Sequence, residues 1–335
     1  MAPVHALDNY YLAITFLITV GYQLFFFAIA FSLKFDKLTD FAGGTNFIVL
    51  AIITLSFSGT HNARQIVDSF FIMLWAARLS GFLLFRIIKT GKDDRFDDKR
   101  DDFFKFLAFW AFQIFWVWTV SLPITLLNSP NITQYNQPSF GTGRDIAGVI
   151  LWTVGFVMES YSDIQKFLFR SNESNKGKTC DVGLFSWSRH PNYFGEISMQ
   201  FAIFMIAVSP AAYGYIPTGS GAYNALCASI LGPFFLTILL MFISGLTLQE
   251  RPGAKKKYES DGPDGPGWSQ YKRWTERTSI LIPFPPQIYV HVPTILKRTL
   301  FLEFPIYVFD PSKHAGVKKV DERNAEEGSR SEVLN

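Results

Sequence analysis

Seven long apolar stretches, separated by short polar connections, set the hydropathy pattern of this chain. An α-helix needs about 20 apolar residues to cross roughly 30 Å of hydrocarbon, and each stretch approaches or exceeds that length. Because a helix satisfies its own backbone hydrogen bonds in lipid, we predict an all-α polytopic membrane protein, a seven-transmembrane-helix bundle. The predicted spans are 10–32, 43–60, 65–89, 103–127, 145–169, 193–216 and 223–247.

The composition agrees with a membrane-embedded chain. Of the 335 residues, 49% are hydrophobic and 17% aromatic, whereas only 18% are charged, which excludes an ordinary soluble domain. The first apolar stretch is too long for the core of a signal peptide, and no lysine or arginine precedes it. We therefore expect this stretch to be retained as a span.

Lysine and arginine are distributed unequally between the two sides of the predicted bundle. The connections that follow the first, third and fifth spans are rich in both residues, whereas those on the opposite side hold only Arg64 and Arg144. Short basic loops stay in the cytosol. The pattern therefore predicts a multi-pass protein with a lumenal or external N-terminus and a cytosolic C-terminus.

Neither a metal ion nor a nucleic acid is indicated as a partner. The net charge of +3 is mild. His5 and His61 stand alone, and Cys180 and Cys227 lack the spacing of metal ligands. The two cysteines also fall in different parts of the predicted topology, so we expect no disulfide between them.

Ionisable residues inside the predicted spans are few, and each is a candidate for function because burying a charge in lipid is costly. Arg78 lies near the middle of the third span, too deep to reach the interface easily. The end of the fifth span carries Glu159, Asp163, Lys166 and Arg170 on one helical face. Either these residues pair within the helix or they line a polar cavity, and the membrane setting favours the cavity.

The segment LFSWSRHPNYFGE, residues 184–196, concentrates polar groups at the mouth of the sixth span. Pro191 indicates a helix start there, whose free N–H groups and positive dipole end suit an anion such as a pyrophosphate. Asn192 and Glu196 lie one turn apart on one face, and Gly195 permits a close backbone approach. An aromatic interfacial belt would explain part of this segment, but not a carboxylate that enters a span.

Four motifs together resemble the steroid 5α-reductase-like superfamily. They are SRHPNYFGE at 188–196, the D(x6)R pair at 163 and 170, YKRWTERTSILIPFPP at 271–286 and WAARLSGFLLFRIIKTGKDDR at 75–95. The branch that they resemble is the 5α-reductase C-terminal domain or DUF1295 type. The isoprenylcysteine carboxyl methyltransferases share a similar RHPxYxG element, so the motifs are more specific for the superfamily than for the reaction.

The resemblance implies an NADPH cavity, open to the cytosol, within a seven-helix bundle of the endoplasmic reticulum. Asp163 and Arg170 match positions that hold the nucleotide. Asn192 and Glu196 match the pair that contacts its nicotinamide-ribose end. The other cofactor-binding residues that the resemblance implies are Arg189, His190, Tyr193, Tyr258 and Tyr271.

The same resemblance suggests a division of the chain. Residues 1–62 hold the first two spans, and 63–286 form a reductase-like membrane domain that includes a cytosolic segment over the cofactor. The tail, 287–335, is apolar as far as 310 and either lies on the membrane face or packs on the protein. From 311 it is polar, and we predict that it is disordered.

Two departures from the steroid reductases concern the substrate. The position that matches their catalytic tyrosine is Trp75, and the second span has no carboxylate. The acid that would polarise a 3-ketosteroid is therefore missing. Candidates for the electrophilic group are Arg78, Tyr161 and Tyr193.

We expect an NAD(P)H-dependent oxidoreductase that acts on CH–CH groups, adding hydride to an activated C=C bond of a lipophilic, sterol-, enoyl- or polyprenoid-like substrate. The alternative is an S-adenosylmethionine-dependent lipid or prenylcysteine-type methyltransferase. Those relatives typically carry a Glu-Glu pair after the next span, where this chain has Gln249-Glu250. A non-catalytic lipid-binding protein on the same scaffold is a third possibility.

Overall fold

The computed structural model describes residues 3–34, 38–90 and 102–314. These ranges contain no strand, and their β contacts are two isolated bridges, so the predicted all-α fold is confirmed. The helices are α1 (Leu12–Ser32), α2 (Leu38–Phe57), α3 (Ala63–Thr90), α4 (Phe103–Val120), α5 (Leu122–Leu127), α6 (Pro130–Thr133), α7 (Gly143–Ser171), α8 (Pro191–Ala207), α9 (Ser209–Ala212), α10 (Gly221–Ala228), α11 (Leu231–Ile238), α12 (Leu246–Asp261), α13 (Pro266–Arg277), α14 (Pro286–Tyr289), α15 (Thr294–Thr299) and α16 (Pro311–His314).

Five helical segments of the described chain are long and apolar enough to cross a membrane. Four of them are α1, α2, α3 and α4, and the fifth runs from Gly221 to Asp261 through α10, α11 and α12. Helices α7 and α8 are not among these five. Helix α8 has only 17 residues, and the polar residues of α7 lower the mean hydropathy of α7. The transmembrane character of the chain therefore agrees with the prediction, whereas the count of seven spans stays a prediction.

Helices α3 and α7 lie side by side and run in the same direction. Three pairs of side chains join them at intervals of seven residues on each helix: Arg64 with Asp145, Phe71 with Trp152, and Arg78 with Glu159. Residue numbers rise together on both helices, which makes the pair parallel. At 1.5 Å per residue, the outer pairs are about 21 Å apart along the axis, most of the thickness of a hydrocarbon core.

Helix α7 packs on α8 through glycines that bring the two backbones together. A Cβ atom on Gly195 would lie 2.5 Å from the carbonyl oxygen of Gly155, and one on Gly155 would lie 2.6 Å from the carbonyl oxygen of Gly195. Neither position accepts a side chain without movement of the helices. The sequence-based expectation of a close approach at Gly195 is therefore met, and the contact lies one turn before Glu159.

The principal apolar core lies where α2, α3, α8 and α11 meet. Trp75 is fully buried there and packs edge-to-face on Phe47, with ring centroids 5.1 Å apart. A second feature of the interior is polar. Three buried amide side chains tie α1, α2 and α4 together, since Gln23 donates to Asn46 at 3.0 Å and Gln113 donates to Gln23 at 2.9 Å.

The chain beyond α13 is folded as far as His314. Tyr289, Phe301 and Tyr307 are buried, and the Tyr307 hydroxyl donates to the carbonyl oxygen of Met241 at 2.8 Å. Of the two expectations for residues 287–310, the packed tail is the arrangement found. We predicted disorder from residue 311, but residues 311–314 form helix α16. The rest of that segment, 315–335, lies outside the described residues. So do most of the basic residues of the connection after the third span, at 91–101.

Candidate functional site

Arg78 is the centre of a polar cluster between α3, α7 and α8. Its Nη1 donates to Glu159 Oε1 at 2.5 Å, and its Nη2 donates to the carbonyl oxygen of Glu159 at 3.0 Å. The same Nη2 forms an ion pair with the carboxylate of Asp163. Asn192 Nδ2 then donates to Asp163 Oδ1 at 3.3 Å. One hydrogen-bonded network therefore joins four residues of three helices. With the neighbouring Glu196 they form what we call the Arg78 cluster: Arg78, Glu159, Asp163, Asn192 and Glu196.

Helix geometry explains why these residues meet. Glu159 and Asp163 lie one turn apart on α7, while Asn192 and Glu196 lie one turn apart at the start of α8. The Gly155–Gly195 contact brings the two helices close enough for their polar faces to touch. The stripe on the fifth predicted span and the SRHPNYFGE motif thus form one site, although neither pattern shows this by itself.

The Arg78 cluster contains more acceptors than it can satisfy. Glu159 Oε2 and Asn192 Oδ1 are buried and have no hydrogen-bond partner among the described residues. Glu196 is 8% exposed and lies within electrostatic reach of Arg78. Three carboxylates therefore surround one arginine, and buried acceptors of this kind are costly unless a donor meets them. The cluster is suited to a ligand that carries N–H or O–H groups.

The charge on this wall changes sign along α7. Glu159 and Asp163 are followed, one and two turns later, by Lys166 and Arg170. The Lys166 ammonium lies 5.4 Å from the ring centre of Phe185, and Arg170 is exposed. Arg86, from α3, is close enough to interact with Asp163 and Arg170. An acidic zone deep in the bundle thus gives way to a basic zone at the end of α7.

Arg189 and His190 form a second buried cluster, with two acidic residues from later in the chain. Arg189 Nη2 donates to Glu303 at 2.5 Å, and its Nη1 lies 3.5 Å from Glu250. His190 Nε2 lies 2.6 Å from Glu250 Oε1. Burial lowers the pKa of His190, so the neutral ring donates from Nε2 and keeps Nδ1 as an acceptor. These contacts join the segment before α8 to α12 and to the tail, and the cofactor-binding role expected for both residues stays a prediction.

The three candidates for the electrophilic group, one arginine and two tyrosines, lie in different places in the structure. Arg78 is central. Tyr193 stacks on His190 with ring centroids 5.3 Å apart, and its hydroxyl accepts a hydrogen bond from Gln249. Tyr161 is 55% exposed, because two residues along a helix turn a side chain through about 200° from Glu159. Tyr161 therefore faces away from the Arg78 cluster, and its candidacy is not supported by this placement.

Tyr258 and Tyr271 belong to an aromatic group near the second cluster. Tyr271 stacks on Trp268 with centroids 5.9 Å apart, and Tyr258 meets Trp268 edge-on at 5.3 Å. Phe309 of the tail completes the group at 5.8 Å from Trp268. A cavity of about 440 Å³ lies beside these rings, and Arg189, Tyr271 and Glu303 are among its lining residues.

Several residues of these clusters were not identified from the sequence. Glu250 had been noted only as a departure from the methyltransferase pattern, and Glu303 lies in an apolar part of the tail. Both pair with Arg189, which precedes them by more than 60 positions, so no local pattern links them. A single acidic residue in an otherwise apolar segment is the signal that could have marked Glu303.

Groups that could hold a metal are absent from the part of the chain that the structure describes. The two cysteines are not joined to each other. A further buried ion pair, Arg64 with Asp145, lies at the opposite end of α3 and α7. It is adjacent to a second cavity of about 330 Å³, of which Arg64 forms part of the lining.

Comparison with known proteins places the chain in a family. The family described as "Protein of unknown function (DUF1295)" matches residues 26–275. A "Probable O-methyltransferase ustE" from Ustilaginoidea virens is 48% identical over 46 residues, which is 14% of this chain and 16% of that protein. The chain thus spans only a small part of that relative. No solved structure matches. The chain belongs to the DUF1295 family, a branch of the steroid 5α-reductase-like superfamily.

Proposed function

We propose that the protein is a membrane reductase that uses NADPH to add hydride to an activated C=C bond of a lipophilic substrate. The observation that carries this proposal is the order of charges along α7. Glu159 on α7 has an unsatisfied buried oxygen, Oε2, and Asn192 at the start of α8 has another, Oδ1. Lys166 and Arg170 follow toward the end of α7. A nicotinamide nucleotide has the matching order, with amide and hydroxyl donors at one end and phosphates beyond them.

The residues of the Arg78 cluster fit that cofactor on chemical grounds. Carboxylate and amide oxygens accept from a carboxamide or from ribose hydroxyls, and basic side chains bind phosphate. When bound, the nucleotide would supply the hydride. Asn192 and Glu159 would orient its reactive end, and the packed helices around them would exclude water.

Arg78 remains the best candidate for stabilising negative charge on the substrate. Three of its hydrogen bonds are made by Nη1 and Nη2 to Glu159 and Asp163, whereas a guanidinium has five N–H donors. Two carboxylates also fix its orientation, which lowers the cost of reorganising the site during the reaction.

Trp75, one turn before Arg78 on α3, offers a second buried donor. Its indole Nε1 is buried and has no hydrogen-bond partner among the described residues. An indole N–H can polarise a carbonyl oxygen but cannot transfer its proton readily. We infer that the substrate carbonyl is polarised here by hydrogen bonds and that the proton comes from another group or from water.

The remaining two spans of the predicted seven are α7 and α8. Helix α7 runs beside α3 for about 21 Å, and it presents an exposed apolar face on the side opposite the Arg78 cluster. That face suits contact with lipid, and it consists of Ile146, Ile150, Val154, Val157, Tyr161, Ile164 and Leu168. We propose a cytosolic C-terminus and residence in the endoplasmic reticulum, as the basic loops and the resemblance imply.

Binding of NADPH to the purified protein in detergent tests the proposal. Calorimetry should detect binding, and Glu196→Ala should weaken it at least about ten-fold, because a buried acceptor contributes about 1.5–3 kcal/mol when it pairs with a ligand donor. The matched control is Glu173→Ala, which removes an exposed glutamate from the turn after α7. Absence of nicotinamide-nucleotide binding to the wild-type protein would contradict the proposal.

The second candidate is an S-adenosylmethionine-dependent methyltransferase, and the short match to a probable O-methyltransferase favours it. The excess of carboxylates around Arg78 would also suit a sulfonium cation. Transfer of a tritiated methyl group to membrane lipids or to a prenylcysteine, without oxidation of NADPH, would make this the preferred function.

A further inference from the structure

One cavity lies between α12, α13 and the tail, and the residues of the Arg78 cluster do not line it. Its volume is about 440 Å³. Residues 297–311 supply one wall, and they lie beyond the 26–275 range that the family shares. The wall that the tail supplies therefore lies outside the family match, whereas Arg189, Trp268 and Tyr271 lie inside it. We call this cavity the tail-walled cavity.

We infer that the tail-walled cavity binds the adenosine end of the cofactor, an inference that rests on the proposed function. Trp268 and Tyr271 present nearly parallel rings, 5.9 Å apart at 17°, and Phe309 meets Trp268 at 85°. A heteroaromatic base stacks on surfaces of this kind. Tyr258 packs behind both Trp268 and Phe309, which supports their orientation.

The charged residues around the rings suit a nucleoside with an attached phosphate. The acidic ones can accept from ribose hydroxyls, while the basic ones can bind phosphate oxygens. The two signs are balanced, which disfavours a ligand that is only a polyanion. The charged lining residues are Glu250, Glu276, Glu303, Arg189, Lys272 and Lys297.

The wall formed by the tail is firmly attached. Glu303 pairs with Arg189 at 2.5 Å and accepts from the Tyr289 hydroxyl at 2.7 Å. Arg251 donates to the carbonyl oxygens of Pro305 and Val308, at 3.3 Å in both cases. The tail thus completes the cavity as a fixed part of the folded protein.

One short segment of the chain contributes to both the cavity and the Arg78 cluster. Arg189 lines the cavity, and Asn192, three positions later, hydrogen-bonds to Asp163 in the Arg78 cluster. Lys166 is close enough to Glu250 to interact with it, which places a basic group between the two sites. One extended cofactor could therefore have its reactive end at Asn192 and its adenosine end at Trp268.

Adenosine is common to NADPH and to S-adenosylmethionine, so the test uses probes for both. Adenosine 2′,5′-bisphosphate represents the first cofactor and S-adenosylhomocysteine the second. We expect one of them to bind the full-length protein in detergent. Trp268→Ala should weaken that binding at least about ten-fold, because stacking of one base on an aromatic side chain is worth about 1–3 kcal/mol. Phe309→Ala should weaken it less.

Two variants separate stacking from loss of structure. Trp187→Ala is the matched control, since Trp187 is 46% exposed and does not line the cavity. Trp268→Phe keeps an aromatic ring and should restore most of the affinity. Thermal unfolding of each variant shows whether the fold is retained, and quenching of tryptophan fluorescence should accompany binding in the wild type and be reduced in Trp268→Phe.

The outcomes distinguish this inference from the proposed function. If NADPH binds and Trp268→Ala, Phe309→Ala and the control all bind it equally, the adenosine site is overturned while the reductase proposal stands. If S-adenosylhomocysteine binds in a Trp268-dependent way and NADPH does not bind, the adenosine site is supported and the reductase proposal is lost. Failure of the wild type to bind either probe overturns the adenosine site, and failure to bind NADPH as well overturns the reductase proposal.

Discussion

Arg64 and Arg78 lie two heptads apart on α3, and each pairs with a carboxylate on α7, but the surroundings of the two pairs differ. Arg64 donates to both oxygens of Asp145, at 3.1 and 2.7 Å, and to Gln137 and Pro138. Asp145 also accepts from Gly141, Thr142 and Ser209, which completes its hydrogen bonding.

Around Arg78 the hydrogen bonding is incomplete. Glu159 Oε2 and Asn192 Oδ1 have no partner among the described residues, and a third carboxylate, Glu196, lies nearby. Both oxygens of Asp145 are hydrogen-bonded, whereas Glu159 keeps one oxygen that a donor on a ligand could meet. We therefore propose a bracing role for the Arg64–Asp145 pair and a binding role for the Arg78 cluster.

The largest effect is expected from Arg64→Met. This variant leaves Asp145 buried without its cation, which typically costs about 3–5 kcal/mol. Thermal unfolding in detergent should show a large loss of stability, while the NADPH affinity of the folded fraction stays unchanged. Arg144→Met is the control, because Arg144 is exposed and adjacent to Asp145. Equal effects of the two substitutions would refute the bracing role.

Glu159→Gln should have the opposite profile. The variant keeps the shape of the side chain but replaces one acceptor with an amide donor, and Asp163 still holds Arg78. We expect NADPH binding to weaken about ten-fold with little change in thermal stability. The paired substitution Asp145→Asn should lower stability and leave affinity intact. If both variants lose thermal stability and neither loses NADPH affinity, the two ends of the helix pair do not differ in function.

A smaller effect concerns pH and the second cluster. Burial lowers the pKa of His190 below its ordinary value of 6.5. The unfolded chain then takes up a proton below about pH 6.5 while the folded protein does not. The contribution of His190 to the free energy of unfolding is therefore complete above pH 6.5, and it is lost as the pH falls toward the lower pKa of His190 in the folded protein. Thermal unfolding from about pH 7.5 to 5 should show this loss of stability in the wild type and less of it in His190→Gln. The same pH dependence of stability in both proteins would contradict a lowered pKa of His190.

The smallest effect is expected from Asp68→Asn. Asp68 is fully buried one turn from Arg64, and neither of its carboxylate oxygens has a hydrogen-bond partner among the described residues. An amide avoids the cost of burying a charge, so thermal stability should be unchanged or raised by up to about 1 kcal/mol. A large loss of stability would show that Asp68 belongs to the Arg64 brace.

Much of the Arg78 cluster follows from local patterns in the sequence. Asp163 and Glu196 each belong to a face that helical periodicity defines, and Arg78 is marked by its depth in a span. The meeting of these faces depends on the Gly155–Gly195 contact, which joins distant parts of the chain. The roles assigned to these residues remain predictions that the experiments above address.

The second cluster shows where sequence patterns are insufficient. Arg189 and His190 stand in a polar motif that suits an anion, but their partners, Glu250 and Glu303, come from α12 and the tail. Pairing over such separations is decided by packing. Tyr161 illustrates the same limit on a smaller scale, since its position two residues after Glu159 places it on the exposed side of α7.

The most direct test of the central claim is a cryo-electron microscopy structure of the protein with NADPH. We expect cofactor density in which the nicotinamide end lies within hydrogen-bond distance of Asn192 Oδ1 and Glu159, while the Arg64–Asp145 pair is unchanged. Cofactor density away from the Arg78 cluster would contradict the proposed binding role. So would a structure in which donors of the protein itself occupy both Asn192 Oδ1 and Glu159.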